Sequence, residues 1–331
     1  MNIWYSPYSL TPLFSFNART SFPQVRQGFL IKVDFGDKGV GYADCHPWPE
    51  LGDEKISVHL KSLMSNETTS LVNRSLELAE WDADCRQKKK SLFPSEPILS
   101  SHYTLPDWEN FSLSLLEEIT IQGYQILKLK VGPDLKSTGQ FIRRLISVLP
   151  EEMILRLDFN LTGDQQELGP WLEGLGESVL SRLDFIEDPF PYEPNLWRNF
   201  SKKWQVSLAL DQELNCDLDL SGAKVLVIKP ARHSDKEIHE CARLHSDKRW
   251  VFTHSMDHPV GRMMALAYAM NFYKKTNPKK IECGGFESRN FYQSTPFDDE
   301  IFVDSCNQLG TEGTGVGFNT TLEDCEWISC R

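Results

Sequence analysis

Six residues combine side-chain types and spacing that suit proton abstraction beside a carboxylate: Lys128, Lys130, Asp158, Glu187, Asp211 and Lys229. Each lies at the end of a short apolar stretch. In Ile126-Leu127-Lys128-Leu129-Lys130-Val131, strict alternation puts Leu127, Leu129 and Val131 on one face and the two lysines with Ile126 on the other. Burying ammonium groups is costly unless they meet carboxylates, a metal site or an anionic ligand. Taken alone, Lys-x-Lys also fits an edge strand with its lysines in solvent. The stretch 154–160 aligns Arg156, Asp158 and Asn160 on one face. The stretch 183–189 ends in Glu187-Asp188-Pro189, 206–211 in Asp211, and 224–229 in Lys229 before Pro230.

Three carboxylates from successive strands form a cluster of hard oxygen ligands. Left bare they repel and raise one another's pKa; a divalent cation resolves this, and Mg2+, with Mn2+ as a substitute, accepts a few carboxylates plus water and substrate oxygens. Flanking lysines then suit enediolate chemistry, with one lysine as base and the other cations stabilising developing charge. The base must be neutral, and Lys128 beside Lys130 supplies a cation to lower its pKa. Each residue has an ordinary reading: an Asp at a strand end is often a helix cap, Glu187-Asp188-Pro189 a loop start, and Lys229 a snorkelling surface lysine. In this order and spacing they share one explanation.

The elements that must position them are legible as a pattern. Residues 1–97 read as an α+β unit: Gly28–Phe35 and Val40–Ala43 form a hairpin around Gly36-Asp37-Lys38-Gly39, and helices follow at Lys55–Met64 and Leu71–Arg86. From 98 to 290, strand candidates at 98–104, 125–131, 153–159, 182–187, 206–211, 224–229, 250–254 and 280–284 alternate with helical stretches such as Trp108–Gln122, Thr138–Leu149, Asp164–Leu180 and Asp235–Leu244. This predicts an α/β chain whose catalytic domain is a (β/α) barrel, a modified TIM barrel, behind an N-terminal α+β capping domain. A doubly wound open sheet is the alternative, but no Gly-x-Gly-x-x-Gly follows the first strand. Residues 291–331 are expected to return to the cap.

Composition narrows the function. Of 331 residues, 40% are hydrophobic and 25% charged, and the net charge is −12. That excess of acid, with no basic cluster beyond Lys88-Lys89-Lys90, argues against nucleic acid. The N-terminus lacks a signal-peptide pattern, and the longest apolar run, Met263–Met270, is too short to span a membrane. Eight dispersed cysteines without a CxxC pair suggest a reducing cytoplasm, with Cys325 and Cys330 as free thiols. The partner expected is a small-molecule carboxylate, and the chain a monomer or small homo-oligomer.

Lys128-Leu129-Lys130, Asp158-Phe159-Asn160, Ile186-Glu187-Asp188-Pro189, Asp211 and Lys229-Pro230 resemble the enolase superfamily, in its muconate-lactonizing subgroup, over almost the whole chain. Arg156, two residues before the first Asp, and the compact length resemble the o-succinylbenzoate synthase branch. The resemblance implies that Asp158, Glu187 and Asp211 bind Mg2+ and that Lys130 and Lys229 are the acid/base pair. It also implies a syn elimination of water from 2-succinyl-6-hydroxy-2,4-cyclohexadiene-1-carboxylate in menaquinone biosynthesis. Lys128, Arg156, Asn160, Ser255 and, in a cap loop over the barrel mouth, Thr20 and Ser21 are the expected substrate contacts; the loop Cys45–Leu51 with His46 is a second lid candidate. Gln212 follows Asp211 where many relatives carry a second acid, and His254 is read as a pocket or structural residue. Three rivals remain: an N-succinylamino acid racemase or dipeptide epimerase on the same fold, a Schiff-base aldolase, and a non-catalytic metal-binding barrel. The last two leave the carboxylates or the lysines unexplained.

Overall fold

The computed structural model describes every residue except 1, 15–23, 66, 95–98, 106–107, 109–110, 213, 216, 277–280, 290, 305–306 and 331. At the N-terminus, β1 (Asn2–Leu10), β2 (Arg26–Asp34) and β3 (Val40–Cys45) form an antiparallel meander, followed by α1 (Ile56–Leu63) and α2 (Ser70–Gln87). Thr69 starts α2 by accepting from Val72 N–H. Gly41 lets β3 approach this helix: a Cβ there would lie 1.9 Å from the Ala79 carbonyl oxygen and 2.6 Å from Ala83 N. Backbone cannot yield as a side-chain tip can, so Gly41→Ala is expected to cost about 3 kcal/mol, read as a lowered midpoint in urea; an unchanged midpoint would refute the close packing.

The second layer is a seven-stranded parallel sheet. Its strands are β4 (Tyr103–Leu105), β5 (Ile126–Lys130), β6 (Ile154–Asp158), β7 (Leu183–Glu187), β8 (Leu208–Leu210), β9 (Val225–Ile228) and β10 (Arg249–Phe252), hydrogen-bonded in chain order. The connecting helices are α3 (Leu113–Ile121), α4 (Leu135–Ile146), α5 (Gln165–Leu175), α6 (Glu177–Leu180), α7 (Pro194–Trp204) and α8 (Asp235–Leu244), and α9 (Pro259–Thr276) follows β10. Local chemistry sets these boundaries. Asp134 caps α4, Ser234 and Glu237 form a capping box on α8, and Gly176 at φ 84° breaks the expected single helix 164–180 into α5 and α6.

The eighth strand expected at 280–284 is not one. Gly284 and Gly285 instead bridge the two sheet edges, pairing with Ser101 before β4 and with Thr253 after β10. The junction is too tight for side chains: a Cβ on Gly284 would sit 2.8 Å from the Phe252 carbonyl oxygen, and one on Gly285 2.7 Å from the His102 ring. Two glycines therefore close the barrel, where a regular strand would carry side chains into its neighbours.

The C-terminal residues add the hairpin β11 (Ile301–Val303) and β12 (Leu309–Thr311), α10 (Asn319–Glu323), and β13 (Ile328–Ser329), which pairs with β1. Buried Asp82 of α2 ties the cap to the C-terminal segment, accepting from Tyr42 N–H, Val316 N–H and Arg86. One apolar cluster runs from Phe29 and Val72 in the cap to Leu127 and Leu157 in the barrel. Cys45, Cys85, Cys283, Cys325 and Cys330 are free, but Cys241 is disulfide-bonded, which the dispersed pattern of thiols did not anticipate. Among the described residues no helix is long and apolar enough to cross a membrane.

Candidate active site

Parallel strands bring their C-terminal ends to one side of the barrel. The strands bearing the carboxylates, β6, β7 and β8, lie side by side, flanked by β5 with its two lysines and by β9, after which comes Lys229. Register aligns Lys130 with Asp158, and Asp158 with Glu187. Lys128 Nζ lies 2.6 Å from Glu187 Oε1 and 2.9 Å from Asp158 Oδ2. Lys130 Nζ is 2.6 Å from the same Asp158 oxygen and 3.4 Å from Asn160 Oδ1, while Lys229 Nζ is 2.5 Å from Asp211 Oδ2. All six, with Asn160 and Gln212, line one cavity of about 430 Å³.

Charge balance in this cavity is tense. Burial pushes the Asp158 carboxyl up, but the ammonium groups of Lys128 and Lys130 outweigh it and hold it below the usual range. Glu187 is pushed up to about 7 by burial and the neighbouring Asp158 and Asp211 charges, against the pull of Lys128. Burial opposes the charge on Lys128, yet the two carboxylates beside it keep it above its ordinary value. Asp188, at φ 44°, accepts from the backbone N–H groups of Asp211 and Gln212 and so holds the chain that carries Asp211. Among the described residues no three acidic, His or Cys side chains close around a single point, because the ammonium groups stand between the carboxylates. The donor set itself, carboxylates from the ends of three adjacent strands on one cavity, is of the oxygen type that suits a hard divalent cation.

The other expected contacts divide. Asn160, at φ 48°, donates from its side chain to Asp158 and orients it. Ser255 lines the cavity, its Oγ buried without a partner. Arg156 is not among the residues that line the cavity: it lies fully buried, donating to Asp184, to the Cys283 carbonyl and to His102. Alternation placed it on the inner face; its level along the strand puts it one layer deeper than Asp158. Thr20 and Ser21 lie outside the described residues. Trp48, Glu50 and Leu51 line the cavity from the other lid candidate, and Trp48 donates to the Ser255 carbonyl at 2.8 Å. Sequence reasoning missed His102, Thr104, Thr253 and Glu287, which also line it. His102 and Thr104 were visible as polar residues within an apolar strand candidate; Glu287 follows the glycine bridge, where no periodicity exists to flag it.

The o-succinylbenzoate synthase of Bdellovibrio bacteriovorus is 32% identical to this chain over 336 residues, covering 100% of the chain and 99% of the relative. The chain belongs to the o-succinylbenzoate synthase family. A family model for the O-succinylbenzoate synthase N-terminal domain matches residues 3–85. The o-succinylbenzoate synthase of Aliivibrio salmonicida is 23% identical over 62% of the chain and 66% of the relative. A dipeptide epimerase from Cytophaga hutchinsonii, complexed with Mg and D-Ala-L-Val, superposes with a TM-score of 0.78 at 14% identity over 100% of this chain and 99% of its own. A mandelate racemase/muconate lactonizing enzyme from Roseiflexus sp. gives 0.77 at 16% identity over 95% and 96%. At those identities the likeness is one of fold: a modified TIM barrel with a capping domain. As a member of the o-succinylbenzoate synthase family, the chain is an enzyme of the hydro-lyase class.

Where cap meets barrel, this family member buries a polar cluster. Tyr8 donates to Asp44 at 2.5 Å and lies 2.9 Å from His46 Nδ1, and the His258 ring packs 4.5 Å from both Tyr8 and Phe297. Burial lowers His46 to about 4 and His258 to about 3. Above pH 6.5 neither the folded nor the unfolded state protonates His258. Below it the unfolded chain takes up a proton that the folded protein refuses until about pH 3, so acid destabilises the wild type through this residue. The stability difference between wild type and His258→Gln should therefore fall by about 1 kcal/mol between pH 6.5 and 5.5, the slope approaching about 1.4 kcal/mol per pH unit at lower pH, measured by urea unfolding at pH 7.5, 6.5 and 5.5. A difference independent of pH would contradict this.

Proposed function

We propose that the enzyme dehydrates 2-succinyl-6-hydroxy-2,4-cyclohexadiene-1-carboxylate to o-succinylbenzoate, as a cytoplasmic Mg2+-dependent step of menaquinone biosynthesis, acting as a monomer or small homo-oligomer. One observation carries this reading. Lys130 shares a chamber with three carboxylates and Lys229, in a chain related over its full length to an o-succinylbenzoate synthase.

The neutral amine of Lys130 takes the proton from the ring carbon bearing the carboxylate, and the electron pair passes into that carboxylate as an enediolate. Lys229 remains an ammonium and counters the new charge. The enediolate then collapses, forming the last ring double bond and expelling hydroxide from the neighbouring carbon. Lys130, now an ammonium on the same face, protonates the hydroxide and returns to the amine as water leaves. Asn160, touching both Asp158 and Lys130, fixes their relative orientation. A divalent cation held by Asp158, Glu187 and Asp211 would supply positive charge to the substrate carboxylate.

The test is formation of o-succinylbenzoate, followed by absorbance, before and after metal is stripped with EDTA. Activity should vanish with EDTA and return with excess Mg2+. Undiminished activity in EDTA would sink the metal assignment. Racemisation of N-succinylamino acids remains the second reading, because Lys130 and Lys229 enter the cavity from strands on either side of the carboxylates.

A further inference from the structure

The turn that follows Asp158 is built against the preference of one of its residues. Thr162 N–H donates to the Phe159 carbonyl at 2.9 Å and closes a four-residue turn. Both central residues lie in the left-handed region, Asn160 at φ 48° and Leu161 at φ 63°. That combination is a type I′ turn, whose first central position suits Asn and whose second suits Gly. Asn160 conforms. Leu161 stands where glycine is favoured, and its Cβ makes this conformation about 5- to 30-fold less populated than the right-handed one. The turn after β7 holds it there: Leu161 N–H donates to the Asp188 carbonyl at 2.8 Å, and Gly163 N–H to the Pro189 carbonyl at 3.0 Å. Glycine does occur in this segment, but at 163, where a Cβ would lie 2.4 Å from the Pro189 oxygen.

Strain of this kind persists only where its surroundings over-determine it, and it gathers at functional sites. Among the described residues, the other non-glycine positions with positive φ each have a structural use. Lys89 and Gln205 follow the ends of α2 and α7, and Phe318 is fully buried at the start of α10. Asn160, Asp188 and Asn307 form hydrogen bonds through their side chains, and Met256 packs on the apolar cluster of Trp48 and Tyr292. Leu161 belongs to none of the apolar clusters of the fold. Its side chain is partly exposed and lines the cavity. Lys130 Nζ lies 3.4 Å from the side chain of Asn160, the residue before it. A ring carbon that gives its proton to Lys130 therefore brings the ring up against this turn.

Resting on the reading under Proposed function, we infer that Leu161 is a specificity-determining residue whose side chain packs against the carbon ring of the substrate, beside the carbon that Lys130 deprotonates. The turn accepts an unfavourable backbone and in return sets an apolar surface next to Lys130, Asp158 and Asn160. A ligand with a flexible chain in place of the ring has nothing of the right shape to fill that contact.

The experiment pairs stability with binding in Leu161→Gly and Leu161→Met. Glycine relieves the backbone and removes the side chain, so the urea midpoint of Leu161→Gly should equal or exceed that of the wild type. Calorimetry on the Mg2+-loaded enzyme should show its affinity for o-succinylbenzoate weakened about 5- to 10-fold, what burying part of a leucine side chain yields. Leu161→Met keeps an apolar chain and should bind within about 2-fold of the wild type. N-succinylglycine has both carboxylates and the succinyl arm of o-succinylbenzoate but no ring, and its binding should be the same in all three proteins. A lowered midpoint in Leu161→Gly would make the side chain structural and overturn the proposal. Unchanged binding of o-succinylbenzoate to Leu161→Gly would overturn it too, as would equal weakening of both ligands. A wild type that neither dehydrates the cyclohexadiene nor binds o-succinylbenzoate would instead indict the proposed function; one that does both, with Leu161→Gly binding as tightly, would overturn the ring contact alone.

Discussion

Lys130→Ala should lower kcat for dehydration by about 10^4-fold, the upper range for general acid–base catalysis, because one nitrogen both takes the ring proton and returns it to the departing hydroxide. The fold should survive. Lys130 is partly exposed to the cavity, and its partner Asp158 keeps Lys128 at 2.9 Å. Lys229→Ala removes only a stabilising charge on this mechanism and should cost less, on the order of 10^2- to 10^3-fold. The contrast is the informative part. A racemase needs a base on each face of its substrate, so both alanine variants would lose activity equally. The measurement is kcat and KM for the two variants at saturating Mg2+, with circular dichroism to verify folding. A Lys130→Ala enzyme retaining a tenth of wild-type kcat would exclude Lys130 as the base.

Asp211→Asn should weaken Mg2+ binding by at least about 100-fold, more than is typical for disturbing a ligand's hydrogen-bond partner, while the metal-free protein melts near the wild-type temperature. The amide keeps the shape of the carboxyl, and Asp188 still accepts from the residue's backbone N–H. What changes is charge: the site loses a third of its carboxylates, and Lys229 loses its ion-pair partner. Calorimetric titration of EDTA-treated protein with Mg2+ reads the affinity directly. Unchanged affinity would place the metal elsewhere; a collapse in melting temperature would mean that Asp211 serves structure first.

Much of this could be read from residue order, and the reasons for success and failure are physical. Buried parallel strands are short apolar runs, and five of them, β5 to β9, carried a charged residue at or near the end, which marked both strand and site. Amphipathic helices such as α8, Asp235–Leu244, announced themselves by period and cap. The helix α9 did not: fourteen of its eighteen residues are buried, so it has no polar face to produce a period. The missing eighth strand has the opposite cause, since a glycine pair has no side-chain pattern and its pairing is set by the strands it joins. Alternation tells which face a residue occupies but not its depth, so it did not show that Arg156 would be fully buried. His102 and Thr253 reach the cavity through closure of the barrel, a long-range event with no local signature.

Wild-type enzyme with Mg2+ in D2O, given 2-succinyl-6-hydroxy-2,4-cyclohexadiene-1-carboxylate in one sample and N-succinyl amino acids in another, separates the two readings that share this active site. The mechanism derived from Lys130 predicts rapid, complete conversion of the first compound to o-succinylbenzoate. Rapid α-deuteration of the N-succinyl amino acids without any dehydration of the cyclohexadiene would contradict it.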